Sequence, residues 1–259
     1  MILKTSGRLT VVGLGPGDTR LMAPLASEAL SSAQVVAGYG TYMDLIPTEL
    51  LSGKRIISTG MTGEVERCSK AIEAALSGQD TVVVSGGDAG VYGMAGLVLE
   101  LLEAKGLLDI LDFQVIPGIP ALAGAAALLG APLTHDFACV SLSDLLTPWE
   151  RIGKRLAAAA SADFVLVIYN PRSRRREELL DRALEIIGKS RTPDTPAGIV
   201  RQAWREGQTI WTGPLSEVDP EGVDMLTLVV VGNSQTRLVG GRMLTPRGYS
   251  GKYDMGKKP

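Results

Sequence analysis

A strand that ends in a glycine-rich loop occurs twice in this chain and limits the folds it can adopt. Thr81-Val82-Val83-Val84-Ser85 runs into Gly86-Gly87-Asp88-Ala89-Gly90-Val91-Tyr92-Gly93, and Arg8-Leu9-Thr10-Val11-Val12 runs into Gly13-Leu14-Gly15-Pro16-Gly17-Asp18. Glycine weakens a fold unless a positive φ or a close approach makes use of it. Open α/β folds bind ligands at the carboxyl ends of parallel strands, so both loops are candidate ligand sites. The alternative for the later loop is a tight turn in which Asp88 caps the next helix.

Strand and helix patterns alternate through the first half of the chain, which predicts an α/β fold with a mostly parallel sheet. Gly130-Ala131-Pro132-Leu133-Thr134 then interrupts a helical pattern, so we place a boundary there between two α/β domains, residues 1–131 and 132–259. The last three predicted strands, at 197–201, 208–212 and 226–231, lack long helices between them. Their spacing predicts hairpins and a mixed sheet in the second domain.

Composition excludes several classes of protein. The net charge of −2 argues against a general nucleic-acid-binding surface. The two cysteines, Cys68 and Cys139, and the single histidine, His135, form no metal-ligand pattern, so we expect no metal site. No apolar run reaches the roughly 18 residues of a membrane span, and the first residues lack the apolar core of a secretory signal. We therefore expect a cytoplasmic protein that binds no membrane.

The glycine loops do not match a nucleotide-binding motif. A dinucleotide fingerprint needs glycine at the sixth position of the earlier loop, where Asp18 stands, and the acidic residue expected after the second strand is replaced by Ala37-Gly38-Tyr39. Neither glycine loop continues into a Gly-Lys-Ser/Thr sequence, which a nucleotide-triphosphate loop needs. These departures disfavour a dinucleotide-dependent reductase. They favour a ligand without phosphates, whose hydroxyls or positive charge Asp18 or Asp88 would meet.

Four motifs together identify the chain as similar to a known family. They are the two glycine loops, Val115-Ile116-Pro117-Gly118-Ile119-Pro120-Ala121 and Ile168-Tyr169-Asn170-Pro171-Arg172-Ser173. In this order, covering nearly the whole chain, they resemble the tetrapyrrole methylases that use S-adenosylmethionine in corrin and sirohaem synthesis. The resemblance implies an enzyme that forms a homodimer of two-domain subunits, with the cofactor bound in the cleft between the domains and S-adenosylhomocysteine as its product.

Three further stretches extend the resemblance to the substrate. His135-Asp136-Phe137, Ser141-Leu142-Ser143-Asp144-Leu145-Leu146-Thr147-Pro148-Trp149 and Asn170-Pro171-Arg172-Ser173-Arg174 are similar to family members that act at C17 of a corrin precursor. This implies methylation of precorrin-3B at C17 with contraction of the ring to precorrin-4. The alternatives are the cobalt-containing anaerobic counterpart, which acts on cobalt-factor III, another tetrapyrrole methylase, or a tetrapyrrole carrier that keeps the fold without catalysis.

The resemblance also implies which residues surround the cofactor, largely through backbone groups. They are Pro16, Gly86, Gly87, Asp88, Val91, Pro120, Ala121, Asn170, Ala203 and Thr227. Core packing is the alternative for Ala203 and Thr227. The chain departs from the family in two places: Ala89 stands where proline is common, and Pro120 stands where relatives often have a hydroxyl, so contact there falls to backbone or to Ala121.

The expected chemistry needs few catalytic side chains. Methyl transfer from a sulfonium requires near-attack geometry rather than a strong acid or base, whereas ring contraction requires protons to move. Asp18 and His135 are the candidates for that step, with helix capping and a structural role as their respective alternatives. Ser143, Arg172 and Arg174 are the candidates for binding the substrate. Arginines suit its carboxylates, although a charge run also suits a solvated face.

Overall fold

The computed structural model describes residues 6–60, 62–173 and 177–256 of the chain. It divides into two compact units, Met1–Ala121 and Leu122–Pro259. The domain boundary expected after Ala131 lies further along the chain than this division, and as a statement about independent domains it stays a prediction. Within the described residues, no helix is long and apolar enough to cross a membrane.

Unit 1 is built on a parallel five-stranded sheet, as the alternating pattern predicts. The strands lie in the order β3-β2-β4-β1-β5, and every pairing is parallel. The strands are β1 Arg8–Gly13, β2 Val35–Tyr39, β3 Arg55–Thr59, β4 Thr81–Ser85 and β5 Asp112–Ile116. The helices are α1 Pro24–Ser32, α2 Gly40–Met43, α3 Thr48–Leu51, α4 Glu64–Leu76 and α5 Met94–Ala104. A 3-10 helix, Thr19–Leu21, precedes α1.

Both faces of this sheet are covered, which explains why its central strands read as continuous apolar runs. On β1, Leu9 and Val11 pack in one buried cluster with residues of α4 and α5, whereas Val12 packs in a second cluster with residues of α1. Strand β4 is buried along its whole length. The carboxyl ends of all five strands lie along one edge of the sheet, called here the carboxyl edge of unit 1.

Unit 2 contains a mixed sheet, as expected, and a small third sheet that the sequence did not indicate. The mixed sheet has the order β10-β9-β11-β8-β7, and the small sheet has the order β12-β13-β6. The strands are β6 Gly130–Ala131, β7 Phe137–Ser141, β8 Val165–Tyr169, β9 Pro196–Arg201, β10 Thr209–Pro214, β11 Thr227–Val231, β12 Arg237–Val239 and β13 Arg242–Leu244. The helices are α6 Ala121–Leu129, which starts at the last residue of unit 1, α7 Trp149–Ser161 and α8 Leu179–Gly188, with 3-10 helices at Leu215–Glu217, Pro220–Gly222 and Tyr249–Gly251.

The pairing directions in the mixed sheet bring several loops to one side. Strands β7 and β8 are parallel, and β8 and β9 both run antiparallel to β11. The carboxyl ends of β7, β8 and β9 therefore share an edge with the amino end of β11. This edge is called here the carboxyl edge of unit 2. Helices α7 and α8 bury Ile152, Leu156 and Leu180 against the β8 side chains Leu166 and Ile168 in one core.

Candidate active site

Three loops meet at the carboxyl edge of unit 1, because β4, β1 and β5 are neighbours in the sheet. The backbone N–H of Gly15 donates to the oxygen of Gly87 at 3.0 Å, and the N–H of Gly87 donates back to the oxygen of Gly15 at 2.9 Å. This reciprocal pair is an isolated antiparallel bridge that lies just beyond the parallel pairing of β1 with β4. The two glycine loops identified from the sequence are therefore bonded directly to each other.

Two glycines at this edge, Gly13 and Gly118, leave no space for a side chain. A Cβ placed on Gly13 would lie 2.6 Å from the nitrogen of Gly118 and 2.7 Å from the oxygen of Gly87. Gly87 itself has φ +66°, a conformation that non-glycine residues rarely adopt. Glycine is therefore needed here for close approach, as expected. Part of that approach is between the backbones of neighbouring loops.

The Asp88 carboxylate ties these loops together. Its Oδ1 accepts hydrogen bonds from the N–H groups of Gly90 at 2.8 Å and Val91 at 3.2 Å, and its Oδ2 accepts from the N–H of Gly118 at 2.9 Å. Helix α5 begins at Met94 with Gly93 at its N-cap position, so the alternative in which Asp88 caps that helix is wrong. Asp88 instead fixes the shape of its own loop and joins it to the loop after β5.

All seven residues of unit 1 that the resemblance assigns to the cofactor lie in these three loops or directly beyond them. Pro16 is buried, and an ideal Cβ on Gly87 would lie 3.3 Å from the nitrogen of Ala121. A Cβ on Gly86 would meet the ring of Tyr42 at 2.6 Å, so Tyr42 also borders this edge. The seven residues are Pro16, Gly86, Gly87, Asp88, Val91, Pro120 and Ala121.

Asp18 caps the 3-10 helix Thr19–Leu21. Its Oδ1 accepts from the backbone N–H of Arg20 at 2.9 Å, and its Oδ2 lies 2.6 Å from Nη2 of Arg20. The side-chain hydrogen bonds from Arg20, followed by the backbone one, lower the pKa of Asp18 to about 2. Such a carboxylate is ionised at neutral pH and is a weak base. Asp18 therefore caps a helix, which was the alternative to a catalytic role. The geometry of Asp18 gives no support to a role in proton transfer.

A serine hydroxyl organises the carboxyl edge of unit 2. Ser141 Oγ, at the end of β7, accepts from Nδ2 of Asn170 at 2.8 Å and from the N–H of Ser143 at 3.2 Å. Asn170 has φ 52°, and asparagine is one of the few non-glycine residues that adopt this conformation readily. A predicted cofactor residue and a predicted substrate residue thus share one hydrogen-bond partner, Ser141, which the sequence reasoning missed.

The loop after β9 carries two strained residues on either side of Ala203. Gln202 has φ 50° and Trp204 has φ 60°, and such outliers are typical of functional sites. Within unit 2, Nε1 of Trp204 donates to the oxygen of Gly124 at 2.9 Å, and the N–H of Gln202 donates to the oxygen of Leu226 at 2.9 Å. These two bonds hold the backbone of Ala203 at the edge.

Thr227, the first residue of β11, lies at the same edge, and its hydroxyl makes hydrogen bonds within the protein. The hydroxyl donates to Oδ1 of Asp224 at 2.8 Å and accepts from the N–H of Asp224 at 3.1 Å. Burial works to raise the pKa of Asp224, but hydrogen bonds from Arg201, Thr227 and the N–H of Leu226 outweigh it and lower that pKa. The buried Thr227 side chain therefore stabilises the turn before β11.

Of the two arginines predicted to bind the substrate, the structure describes Arg172. Nη1 of Arg172 donates to the oxygen of Pro220 at 2.9 Å, and Nη2 lies 3.5 Å from Oε2 of Glu177. With 19% of its side chain exposed, Arg172 links the loop after β8 to the 3-10 helix Pro220–Gly222. Arg174 lies outside the described residues.

The structure does not bring His135 to the carboxyl edge of unit 2. His135 precedes the amino end of β7, so it lies at the opposite edge of the sheet from Ser141 and Asn170. Its Nδ1 accepts from the N–H of Asp136 at 2.8 Å. The structural alternative therefore fits His135. Among the described residues, no group of three or more histidines, cysteines or carboxylates is placed to hold a metal ion.

Comparison with known proteins identifies the family. Residues 8–219 match the family model described as Tetrapyrrole (Corrin/Porphyrin) Methylases. The chain therefore belongs to the tetrapyrrole methylases, which confirms the family expected from the four motifs.

Two relatives share most of their length with this chain. A probable cobalt-factor III C(17)-methyltransferase from Salmonella typhimurium is 50% identical over 242 residues, covering 93% of this chain and 99% of the relative. The precorrin-3B C(17)-methyltransferase of a Sinorhizobium species is 38% identical over 253 residues, covering 95% of this chain and 98% of the relative.

Solved structures show the same fold. The crystal structure of the methyltransferase CobJ matches with a TM-score of 0.89 and 40% identity, covering 93% of this chain and all of that one. A uroporphyrin-III C-methyltransferase from Thermus thermophilus, complexed with S-adenosyl homocysteine, matches with a TM-score of 0.64 and 25% identity, covering 87% of this chain and 92% of that one.

Proposed function

We propose that this protein transfers a methyl group from S-adenosylmethionine to C17 of a corrin precursor while the macrocycle contracts. The observation that carries the proposal is the 50% identity, over 93% of this chain, to a relative named as a cobalt-factor III C(17)-methyltransferase. The more distant relative named for precorrin-3B is only 38% identical. The cobalt-containing substrate, which the sequence analysis held as the alternative, is therefore favoured over precorrin-3B.

The cofactor is proposed to bind at the carboxyl edge of unit 1. Backbone groups of the interlocked glycine loops surround this edge, and the residues assigned to it include no lysine or arginine that would hold a pyrophosphate. This suits a cofactor without phosphates, as does the T. thermophilus family member complexed with S-adenosyl homocysteine. When bound, S-adenosylmethionine supplies the electrophilic methyl group. Asn170, Ala203 and Thr227 are proposed to contribute from the carboxyl edge of unit 2.

The contribution of the protein to methyl transfer is proposed to be positioning. Displacement at a sulfonium methyl group needs aligned reactants and an environment that excludes water, and neither requires a proton donor. Rigid loops held by Asp88, and by Ser141 with Asn170, provide such positioning. Methyl transfer does not need Asp18, which is held by Arg20, or His135, which lies at the far edge of its sheet, and their role in ring contraction stays a prediction.

The substrate is tested by direct turnover. Purified protein is incubated with methyl-labelled S-adenosylmethionine and either cobalt-factor III or precorrin-3B, and the products are analysed by mass spectrometry and NMR. We expect label at C17 and a higher kcat/KM for the cobalt compound. Binding of both tetrapyrroles without label transfer would instead indicate a carrier. Binding of NADPH without binding of S-adenosylhomocysteine would indicate a reductase.

The cofactor edge is tested by Asp88→Asn. Either orientation of the new amide points an NH2 group at an N–H that Asp88 now accepts from, so the loops should separate. We expect the Kd for S-adenosylhomocysteine, measured by calorimetry, to rise roughly tenfold, the equivalent of about 1.4 kcal/mol. Asp109→Asn, in an exposed turn of unit 1, and Arg174→Ala should stay near the wild-type value. An equal loss in Arg174→Ala would contradict the assignment of Asp88 to the cofactor and Arg174 to the substrate.

Localisation in the cytoplasm and assembly as a homodimer stay predictions of the family resemblance. Light scattering on the purified protein tests the second. A mass near twice the 27.3 kDa of one chain is expected.

A further inference from the structure

The loop between β7 and α7 presents two leucines to solvent. Leu145 is 76% exposed and Leu146 is 98% exposed, the two highest values among the large apolar side chains of the described residues. They are adjacent in sequence and are called here the leucine tip. Single exposed apolar residues are ordinary, but two adjacent ones at such exposure on one loop are a candidate contact surface.

The leucine tip is held from both sides. On the β7 side, Leu142 is fully buried and its N–H donates to the oxygen of Tyr169 at 2.9 Å. On the α7 side, Trp149 packs against the core of unit 2, and the guanidinium of Arg182 lies 4.2 Å from the centre of its ring. The anchored ends fix where the leucines project, so ordering them for a contact costs little further conformational entropy.

The position of the tip connects it to the candidate site. The loop leaves β7 at the carboxyl edge of unit 2, and the Ser141 hydroxyl that receives Asn170 also receives the N–H of Ser143, two residues before the tip. The exposed carboxylates of Asp144 and Glu150 flank the tip in sequence. Apolar side chains between two acids are unsuited to the carboxylates at the rim of a tetrapyrrole and suited to the apolar face of its ring.

Resting on the proposed function, we propose that the leucine tip is a substrate contact, in which Leu145 and Leu146 pack against the flat face of the tetrapyrrole macrocycle. The tip then selects for a large planar apolar surface. Recognition of the rim carboxylates falls to other residues.

The test is the double substitution Leu145→Ser with Leu146→Ser. Fully burying a leucine contributes about 1.5–3 kcal/mol, so losing a partial contact from both should weaken cobalt-factor III binding at least roughly tenfold. We expect this loss in a fluorescence titration and as an increased KM, with the Kd for S-adenosylhomocysteine unchanged. The matched control is Leu108→Ser with Ile110→Ser, which removes two side chains that are 48% and 57% exposed on a turn of unit 1. It should bind the tetrapyrrole as the wild type does.

Further measurements separate a contact from a structural role. Leu145→Met with Leu146→Met keeps an apolar surface and should restore tetrapyrrole affinity to within about threefold of wild type. Unchanged affinity in the serine variant would overturn the proposal. So would a change in oligomeric mass with unchanged affinity, which would instead assign the tip to an interface between copies. If the wild type binds no tetrapyrrole at all, the proposed function fails together with this inference; if it methylates normally and the serine variant does too, only this inference fails.

Discussion

Both carboxyl edges hold loops in place, one mainly through backbone groups and the other mainly through side chains. At the edge of unit 1, the loops are joined backbone to backbone through Gly15 and Gly87, and one carboxylate, Asp88, accepts three backbone hydrogen bonds. At the edge of unit 2, side chains make the connections. Ser141, Asn170 and Trp204 bond across loops, and three non-glycine residues, Asn170, Gln202 and Trp204, adopt a left-handed conformation.

This difference predicts which substitutions destabilise each edge. A backbone-built edge depends on the absence of side chains, so adding a single carbon forces the loops apart. A side-chain-built edge depends on particular hydrogen bonds and on tolerance of positive φ, each of which contributes a smaller and separable amount. Substitutions at the unit 1 edge should therefore have larger and more uniform effects on stability than those at the unit 2 edge.

The largest effect is expected for Gly118→Ala. The new Cβ would overlap the oxygen of Gly87 and lie 2.7 Å from the oxygen of Gly13, and neither backbone atom can move without separating the loops. We expect the free energy of unfolding, from urea denaturation, to fall by about 3 kcal/mol.

Gly96→Ala is the matched control for this substitution. Gly96 lies on the exposed face of α5 with nothing within 4 Å of its ideal Cβ, and like Gly118 it has no positive φ. Replacing glycine within a helix should stabilise the protein by about 0.5–1 kcal/mol. If Gly118→Ala is as stable as Gly96→Ala, the edge of unit 1 does not depend on backbone contact as described.

An intermediate effect is expected at Asn170, in the unit 2 edge. Asn170→Ala removes the hydrogen bond to Ser141 and places alanine at φ 52°, which should lower the free energy of unfolding by about 1–2 kcal/mol. Asn170→Gly loses the same hydrogen bond but accepts the backbone conformation, so it should be less destabilising in the same urea titration. Equal losses in the two variants would mean that the left-handed backbone carries no cost here.

The parts of the fold that could be predicted from the sequence are those that depend on patterns in consecutive residues. Strand β4 is an unbroken apolar run because both faces of its sheet are covered. The glycine loops can be recognised from the spacing of their glycines. Gly130 and Ala131, by contrast, appear only as a helix break, yet they pair with Met243 and Leu244 as β6. A two-residue strand whose partner is over a hundred residues away leaves no local pattern.

The site was predictable to a similar extent. The residues assigned to unit 1 lie together because each is tied to a glycine motif. The roles of polar residues were not readable, because they depend on partners brought by the fold: Arg172 meets Pro220, and the shared acceptor of Asn170 and Ser143 is Ser141. Asp18 is an exception, since its partner Arg20 is only two residues away and capping was a readable alternative.

The smallest effect is expected for Asp18→Asn, and it should appear mainly in acid. Arg20 holds the pKa of folded Asp18 at about 2, below the ordinary value of 3.8, so the stabilisation from Asp18 is complete above the higher value. It is lost as the pH falls towards 2, because the unfolded chain then binds a proton that the folded protein does not. Between pH 4 and pH 2, the urea midpoint of the wild type should therefore fall more steeply than that of Asp18→Asn. Asp109→Asn, an exposed carboxylate in the same unit with no ion pair among the described residues, should retain the wild-type slope. A wild-type slope in Asp18→Asn would show that the Arg20 contact is too exposed to solvent to stabilise the loop, in contrast to the backbone contacts and the Asp88 carboxylate at the unit 1 edge.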